Sequence, residues 1–356
     1  MRRGRAERHG CFQALAAIFR ALRIDAIERF TLSASASPAA PPAVPRRPPP
    51  ALPDVVRQRL LMDLRDALYA RCFARPFGAG PPPSRDAGPA LDPQDLARRL
   101  SAANHGHDAW IAGWRVEEAG GSGSVVLTRG GSRHSAGPGE YAMTFYEDMP
   151  PLSGGAATLL HRRESFTLQA GVYYAFGALL PEPEDEAEVL RIYFHAAQQS
   201  AVPVFELLTA ELDALEVPFT LKTMLQAADR DRCDATVLYL PRRRYPAFAG
   251  LGGKLANRLG ASLARATPLF TKQLHTGVGL AESPSGSESF GMLRCRLVAE
   301  GIVDAWASGR QDVASRLAST ERSFAAAGLS LRRPYLGAGG KDTYAPFAAA
   351  REPACS

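Results

Sequence analysis

The order of its hydrophobic periods constrains this chain most. From GVYYAFGAL (171–179) to ATVLYL (235–240) the apolar residues fall in short β-type runs, LRIYFHA and PFTLKTM among them. One helical stretch, VFELLTAELDALE, and an acidic loop, PEPEDEAE, separate these runs. Beyond residue 250 the spacing turns helical in LGGKLANRLGASLARA, MLRCRLVAEGIVDAWASG and QDVASRLASTERSFAAAG, with the loop SPSGSES ahead of the second. Strands gathered in the middle and helices gathered at the end predict an α+β fold: a mainly antiparallel sheet, flanking helices and a helical C-terminal third. No internal repeat is visible, and at 356 residues one compact domain over 54–348 is expected, with a flexible tail at 349–356.

Upstream of the middle, DVVRQRLLMDLRDALYARCF puts Leu60, Leu61, Leu64, Leu68 and Phe73 on one helical stripe, which is core rather than a cofactor box. The loop GAGPPPSRDAGPALDPQ leads to a short helix near Leu96 to Ala103, then to the strand-like WIAGWRVEE and GSVVLTRGG. Residues 33–53 are rich in Ser, Ala and Pro and read as a linker. The first 53 residues are therefore expected to form a largely disordered basic extension, and residues 1–50 to be dispensable for folding and chemistry. Phe12, Leu15, Phe19, Leu22 and Ile27 do fall near helical spacing, the pattern of a basic amphipathic helix for membrane surfaces or export.

The 42 basic against 36 acidic residues give a net charge of +6, which favours an acidic partner. No RNP motif, Cys/His finger or basic run interleaved with aromatics accompanies it, so nucleic acid is not expected. Cys11, Cys72, Cys233, Cys295 and Cys355 are odd in number and form no C-x-x-C pair, as expected of a reducing, cytoplasmic compartment. His105, His107, His134 and His161 show no ligand spacing, and neither metal nor cofactor is expected. No apolar run reaches the roughly 18 to 20 residues of a membrane span, and the N-terminus makes a poor secretory signal.

Only four lysines, Lys222, Lys254, Lys272 and Lys341, occur among those 42 basic residues, and Lys222 lies within the apolar VPFTLKTML. Alternation in a strand puts Arg191, Tyr193 and His195 on one face of RIYFH, and Thr220 with Lys222 on one face of PFTLK. Paired in one sheet, such faces line a cleft suited to phosphate or carboxylate; they equally describe the solvated outer face of an antiparallel sheet. Arginine binds anions as well as lysine does. A lysine desolvated beside other cations can lose its proton and act as a base, which arginine cannot. The alternative for Lys222 is an aliphatic stem packed on the sheet.

A second region, PLFTKQLHTGVGLAESPSGSESFGMLRC, brings Thr271, Lys272 and His275 together with Gly277, Gly279, Glu282, Glu288, Ser289 and Arg294. A glycine-bearing loop before a helix can offer N–H groups to an anion. The stretch is neither a Walker nor a Rossmann motif, and S-E-S-F-G is not the G-x-S-x-G elbow of a hydrolase.

LSAANHGHDAWIAGWRV, EVLRIYFHAA, VPFTLKTML, CDATVLYL and PLFTKQLHTGVGLAESPSGSESFGMLRC, in that order, resemble the HopA-type effector family over roughly residues 55–330. The long N-terminal extension lies outside the likeness. Members of that family are type III effectors of plant pathogens, or lyases that dehydrate serine and threonine with a phosphotransferase-like kinase during maturation of thioamide-containing peptides and class V lanthipeptides. The resemblance implies a cofactor-free lyase in which Lys222 removes the α-proton of phosphoserine or phosphothreonine in a precursor peptide. Arg191, Lys272 and Arg294 would hold the phosphate or stabilise the enolate, with Thr271, Glu282 and Ser289 beside them, and Tyr193 or His195 would supply a proton. The rival expectations are an effector secreted into a host cell that acts by binding host proteins, and a noncatalytic scaffold that binds leader peptides.

Overall fold

The computed structural model describes residues 3–26, 29–33, 53–78, 91–144, 151–229 and 231–347. Helix α1 (Arg3–Ala21) leads into the hairpin β1 (Leu22–Ala26) and β2 (Arg29–Leu32), followed by α2 (Asp54–Leu68), a single π turn (Tyr69–Phe73) and α3 (Pro93–Ala102). The side chain of Asp92 accepts hydrogen bonds from the Gln94 and Asp95 amides, which otherwise lack partners at the start of α3. Strands β3 (Ala109–Ala119), β4 (Val125–Arg129), β5 (Ser132–Ala136), β6 (Tyr141–Met143) and β7 (Ala156–His161) make a five-stranded antiparallel sheet in the order β5-β4-β3-β7-β6. Trp114, Val116, Leu127 and Leu159 form a small core of its own beneath it.

The main sheet follows. It comprises β8 (Glu164–Ser165), β9 (Val172–Phe176), β10 (Val189–Phe194), β11 (Thr220–Met224), β12 (Thr236–Pro241), β13 (Lys272–His275) and β14 (Val278–Glu282). All its pairs are antiparallel, in the order β13-β14-β10-β12-β11-β9-β8. Between these strands run α4 (Pro183–Ala187), α5 (Gln198–Ala214), α6 (Tyr245–Gly250) and α7 (Gly252–Leu259); α8 (Phe290–Ala307) and α9 (Val313–Ala326) complete the fold. The protein is α+β, and α8 packs on α9 as the helical spacing predicts.

Two expectations need correction. Residues 272–282, read as a loop ahead of a helix, form the β13–β14 hairpin at the edge of the main sheet, turning at Gly277, whose φ is +71°. The first 33 residues are not a loose extension either. Leu15, Ile18 and Phe19 of α1, with Leu22, Ile24 and Leu32 of the hairpin, are buried in the main core. Arg316 of α9, 1% exposed, donates from Nη1 to the carbonyls of Phe19 and Leu22, each at 2.7 Å, and from Nη2 to Gln311 Oε1 at 2.9 Å. Composition misled because a few buried apolar side chains anchored by one guanidinium suffice to dock a segment whose average is polar. Most of the expected linker, residues 34–52, and the tail from 348 onward lie outside the described residues.

Candidate functional site

Residues that are Cα partners in an antiparallel ladder point to the same side of the sheet, so the register sorts the side chains. Lys222 pairs with Tyr174 and Val237, Val237 with Tyr193, and Tyr193 with Gly279. In the next row Phe176 pairs with Thr220, Thr220 with Tyr239, Tyr239 with Arg191, and Arg191 with Ala281. Arg191, Tyr193 and Lys222 therefore share one face, as alternation within the strands predicts.

The reverse face is apolar core. Its central row runs Ala175, Leu221, Leu238, Ile192, Leu280, and it ends at Lys272. Tyr173 on this side lies 5.4 Å from Phe205 of α5, ring to ring.

On the Lys222 face, Phe73 of the π turn and Phe290 of α8 cover Tyr193, with ring centroids 6.1 and 6.5 Å away. The part of the face nearer β11 is less covered: Arg191, Thr220, Lys222 and Tyr239 are all half-buried. The Arg191 guanidinium carbon lies 5.3 Å from the centre of the Tyr239 ring, and Lys222 Nζ lies 5.5 Å from it. Two cations thus share one aromatic ring, a geometry that holds both side chains without neutralising either. Among the described residues no carboxylate pairs with either cation. Arg191 Nε donates to Ser283 Oγ at 2.9 Å, and the rest of its guanidinium has no hydrogen-bond partner among the described residues.

Three tyrosines surround this pair. The Tyr193 hydroxyl has no hydrogen-bond partner among the described residues, and burial pushes its pKa up, with Arg191 pulling the other way. It holds its proton at neutral pH. Tyr174 is also raised by burial, against the pull of Lys222, and donates to Gln169 Oε1 at 2.8 Å. Tyr239 and Tyr174 were not among the residues singled out from the sequence. Alternation shows that each lies on one side of its strand, but only the cross-strand register brings them beside Lys222. A fixed support stands nearby: Asp234 accepts from Arg232 through Nε and Nη2, each at 2.9 Å, and from the Tyr69 hydroxyl at 2.8 Å, joining the π turn to the loop before β12.

His195 follows the last residue of β10. Its Nδ1 lies 3.0 Å from the Ala266 carbonyl, and burial pushes the imidazole pKa down despite that carbonyl and Asp231. Thr271 packs its hydroxyl over Gly279, where a Cβ would come within 2.6 Å of it; the glycine is what permits this approach beside Tyr193. That hydroxyl donates to the Pro268 carbonyl at 2.7 Å.

The expected meeting of Arg191, Lys272 and Arg294 does not form. Lys272 is 7% exposed on the reverse face and is held by both carboxylate oxygens of Asp342, at 2.6 and 2.8 Å. Arg294, 1% exposed in α8, donates to the carbonyls of Pro334 at 2.7 Å and Leu336 at 2.8 Å, and burial brings its pKa down to about 10. Glu282 accepts from the Tyr344 hydroxyl and the Gly337 amide, each at 2.6 Å, fastening the C-terminal segment. Ser289 caps α8 by accepting from the Met292 amide at 3.3 Å. Each of these four side chains has a structural partner that accounts for its position. Among the described residues no group of three or more His, Cys, Asp or Glu stands together as a metal cage, and no helix is long and apolar enough to cross a membrane.

Fold and face together define an α+β protein whose antiparallel sheet presents two cations around a tyrosine, neither paired with a carboxylate among the described residues. Residues 164–336, which include every strand of that sheet, match the HopA1 effector protein family, and the chain carries a HopA1 effector protein family domain. Among solved structures it is similar to the effector protein from Pseudomonas syringae pv. tomato strain DC3000, at 14% identity and a TM-score of 0.44, over 79% of this chain and 95% of that one. It is similar also to the effector protein from Pseudomonas syringae pv. syringae strain 61, at 14% identity and a TM-score of 0.43, over 80% and 99%. No curated protein matches the chain.

Proposed function

We propose that the protein is a lyase that eliminates phosphate from phosphoserine or phosphothreonine in a precursor peptide, downstream of a kinase of the phosphotransferase type. The observation that carries this reading is that the Arg191 guanidinium carbon and Lys222 Nζ lie 5.3 and 5.5 Å from the centre of one ring, that of Tyr239, with no carboxylate paired to either among the described residues. In the unprotonated state Lys222 Nζ takes the α-proton. The electrons of that C–H bond form the Cα–Cβ double bond, and the Cβ–O bond breaks to release phosphate. Arg191 holds the phosphate oxygens as charge gathers on them. Tyr193 suits the role of proton donor better than His195: its hydroxyl, on the Lys222 face, is protonated and has no partner among the described residues, whereas the His195 ring is tied to Ala266. Phosphate is already a fair leaving group, so the donor's share is modest.

A phosphothreonine peptide incubated with the protein should lose phosphate and emerge one water lighter than its unphosphorylated form by mass spectrometry. A product of the unphosphorylated mass would mark a phosphatase instead, and an unchanged peptide across several sequences would remove the reading. The family name favours a second reading, an effector that acts by binding host proteins; on that reading Lys222→Arg, which keeps the charge, leaves function intact.

A further inference from the structure

The face that carries Lys222 continues into a cleft of about 820 Å³ between the two larger sheets. Thr220 and Phe176 belong to its lining, and the register links Thr220 to Tyr239 and Tyr239 to Arg191. Strands in a sheet lie ~4.8 Å apart, so Thr220 stands about 10 Å from Arg191 across the sheet and about 7 Å from Lys222 along β11. An extended chain advances ~3.3 Å per residue. A peptide whose reacting residue sits at Lys222 therefore reaches the cleft about two or three residues away.

The walls are apolar at Trp114, Leu159 and Leu180, joined by Phe166, a residue 46% exposed. Leu168 and Leu179, each next to a lining residue, are 64% and 46% exposed, so apolar surface continues around the rim. The charges are mostly spoken for. Arg133 is paired with Glu117 and Glu118, and Arg162 with Asp108. Of the acids, Glu164 accepts from Ser101 and Tyr173, Glu140 from the Gly137 amide, Glu182 closes a capping box, and Glu186 meets Ser132. Arg129 is the lining arginine without an ion pair among the described residues. Burial pushes the His161 pKa down, and its ring, bonded to the Gly177 carbonyl at 2.9 Å, stays neutral.

We infer that this cleft binds the extended segment of substrate peptide flanking the reacting residue, and selects a large apolar side chain about two or three positions away with an acidic residue beside it at Arg129. The inference deepens the lyase reading and rests on its placing the reacting residue at Lys222. The probe is a fluorescent peptide of about twelve residues with a central phosphothreonine and a Phe-Glu pair about three positions away, made with the pair on either side. Control peptides carry Ser-Ser or Phe-Lys there. Binding to the full chain is read by anisotropy in the Lys222→Arg background, so no turnover is needed.

One Phe-Glu peptide should bind about tenfold more tightly than its Ser-Ser control, and Phe166→Ala should shrink that ratio. Arg129→Glu should weaken Phe-Glu and favour Phe-Lys, a reversal that mere loss of structure does not produce. Equal affinity for all peptides, or no reversal with Arg129→Glu, overturns the cleft assignment. If the reversal appears but the wild-type protein never eliminates phosphate, the cleft stands and the lyase reading falls. If elimination proceeds while the reversal is absent, the cleft falls and the lyase reading stands.

Discussion

Lys222 and Lys272 belong to the same sheet and point to opposite sides of it, and the difference between them separates a cation free to act from one that holds the fold. Lys272 is buried, clasped by Asp342, and lies 5.5 Å from the centre of the Tyr335 ring. Lys222 is half-buried, touches no carboxylate among the described residues, and shares Tyr239 with Arg191. Arg294 and Arg316 side with Lys272: each is 1% exposed and donates to two main-chain carbonyls. Turning either guanidinium away toward a phosphate would leave those carbonyls unpaired, at about 1–3 kcal/mol each.

The strongest way to break this division is to remove what a committed cation holds. Deleting residues 1–33 strips Arg316 of its carbonyl partners Phe19 and Leu22 and removes six buried apolar side chains, each worth about 1.5–3 kcal/mol, leaving the core surface beneath them in water. That sum rivals the whole stability of a domain, so the truncated chain should give no cooperative melt by circular dichroism at 25 °C. Arg316→Met should be milder, a loss of about 3 kcal/mol by urea titration. A truncated chain that melts like the full one would return residues 1–33 to the role of a dispensable extension.

At the uncommitted end, Lys222→Arg should cut elimination by about 10³-fold, roughly 4 kcal/mol in barrier, while phosphopeptide affinity and the urea midpoint stay near wild type. Full turnover in this variant would make Lys222 a packed cation and nothing more.

The division was only half visible in the sequence, for physical reasons. Alternation within RIYFH and PFTLK fixed which residues share a side of each strand, and the register keeps Arg191, Tyr193 and Lys222 together. Tyr239 became legible only once β12 was seen to lie between β10 and β11, because pairing order is set by long-range packing that no local pattern encodes. For Lys272 the error was one of element type. Read as a loop, TKQLHTGVGLAE could aim its cation anywhere; as a hairpin it must alternate, and the pairing of Lys272 with Leu280 sends it to the core side. Asp342, its partner, lies 70 positions away, beyond the reach of any local pattern.

Lys272→Met tests the committed side directly. Replacing the ammonium leaves the Asp342 carboxylate without its charge partner and should cost about 2 kcal/mol in urea, with no loss specific to phosphorylated peptide. Weaker binding of the phosphorylated peptide alone would restore Lys272 to the phosphate site.

The smallest effect is the pH dependence of that same loss. Burial pushes the Asp342 carboxyl up, but Lys272 and the Tyr335 hydroxyl outweigh it, and the group sits below its ordinary value of 3.8. A carboxyl depressed by folding adds stability that is fully present above its unfolded pKa, near 3.8, and disappears as the pH falls through the depressed folded value. The gap between wild type and Lys272→Met should therefore be constant from about pH 7 to 5 and narrow below about pH 4. Asp108, Asp185 and Asp312 are also held low, so each protein alone will lose stability in acid. Those carboxyls titrate alike in both proteins and cancel in the difference, which is why the comparison and not the single acid curve reports on the pair. Urea titrations at successive pH values measure it. A gap that stays level down to pH 3 would show that Lys272 stabilises the fold through its aliphatic stem and the Tyr335 ring, with the Asp342 charge contributing little.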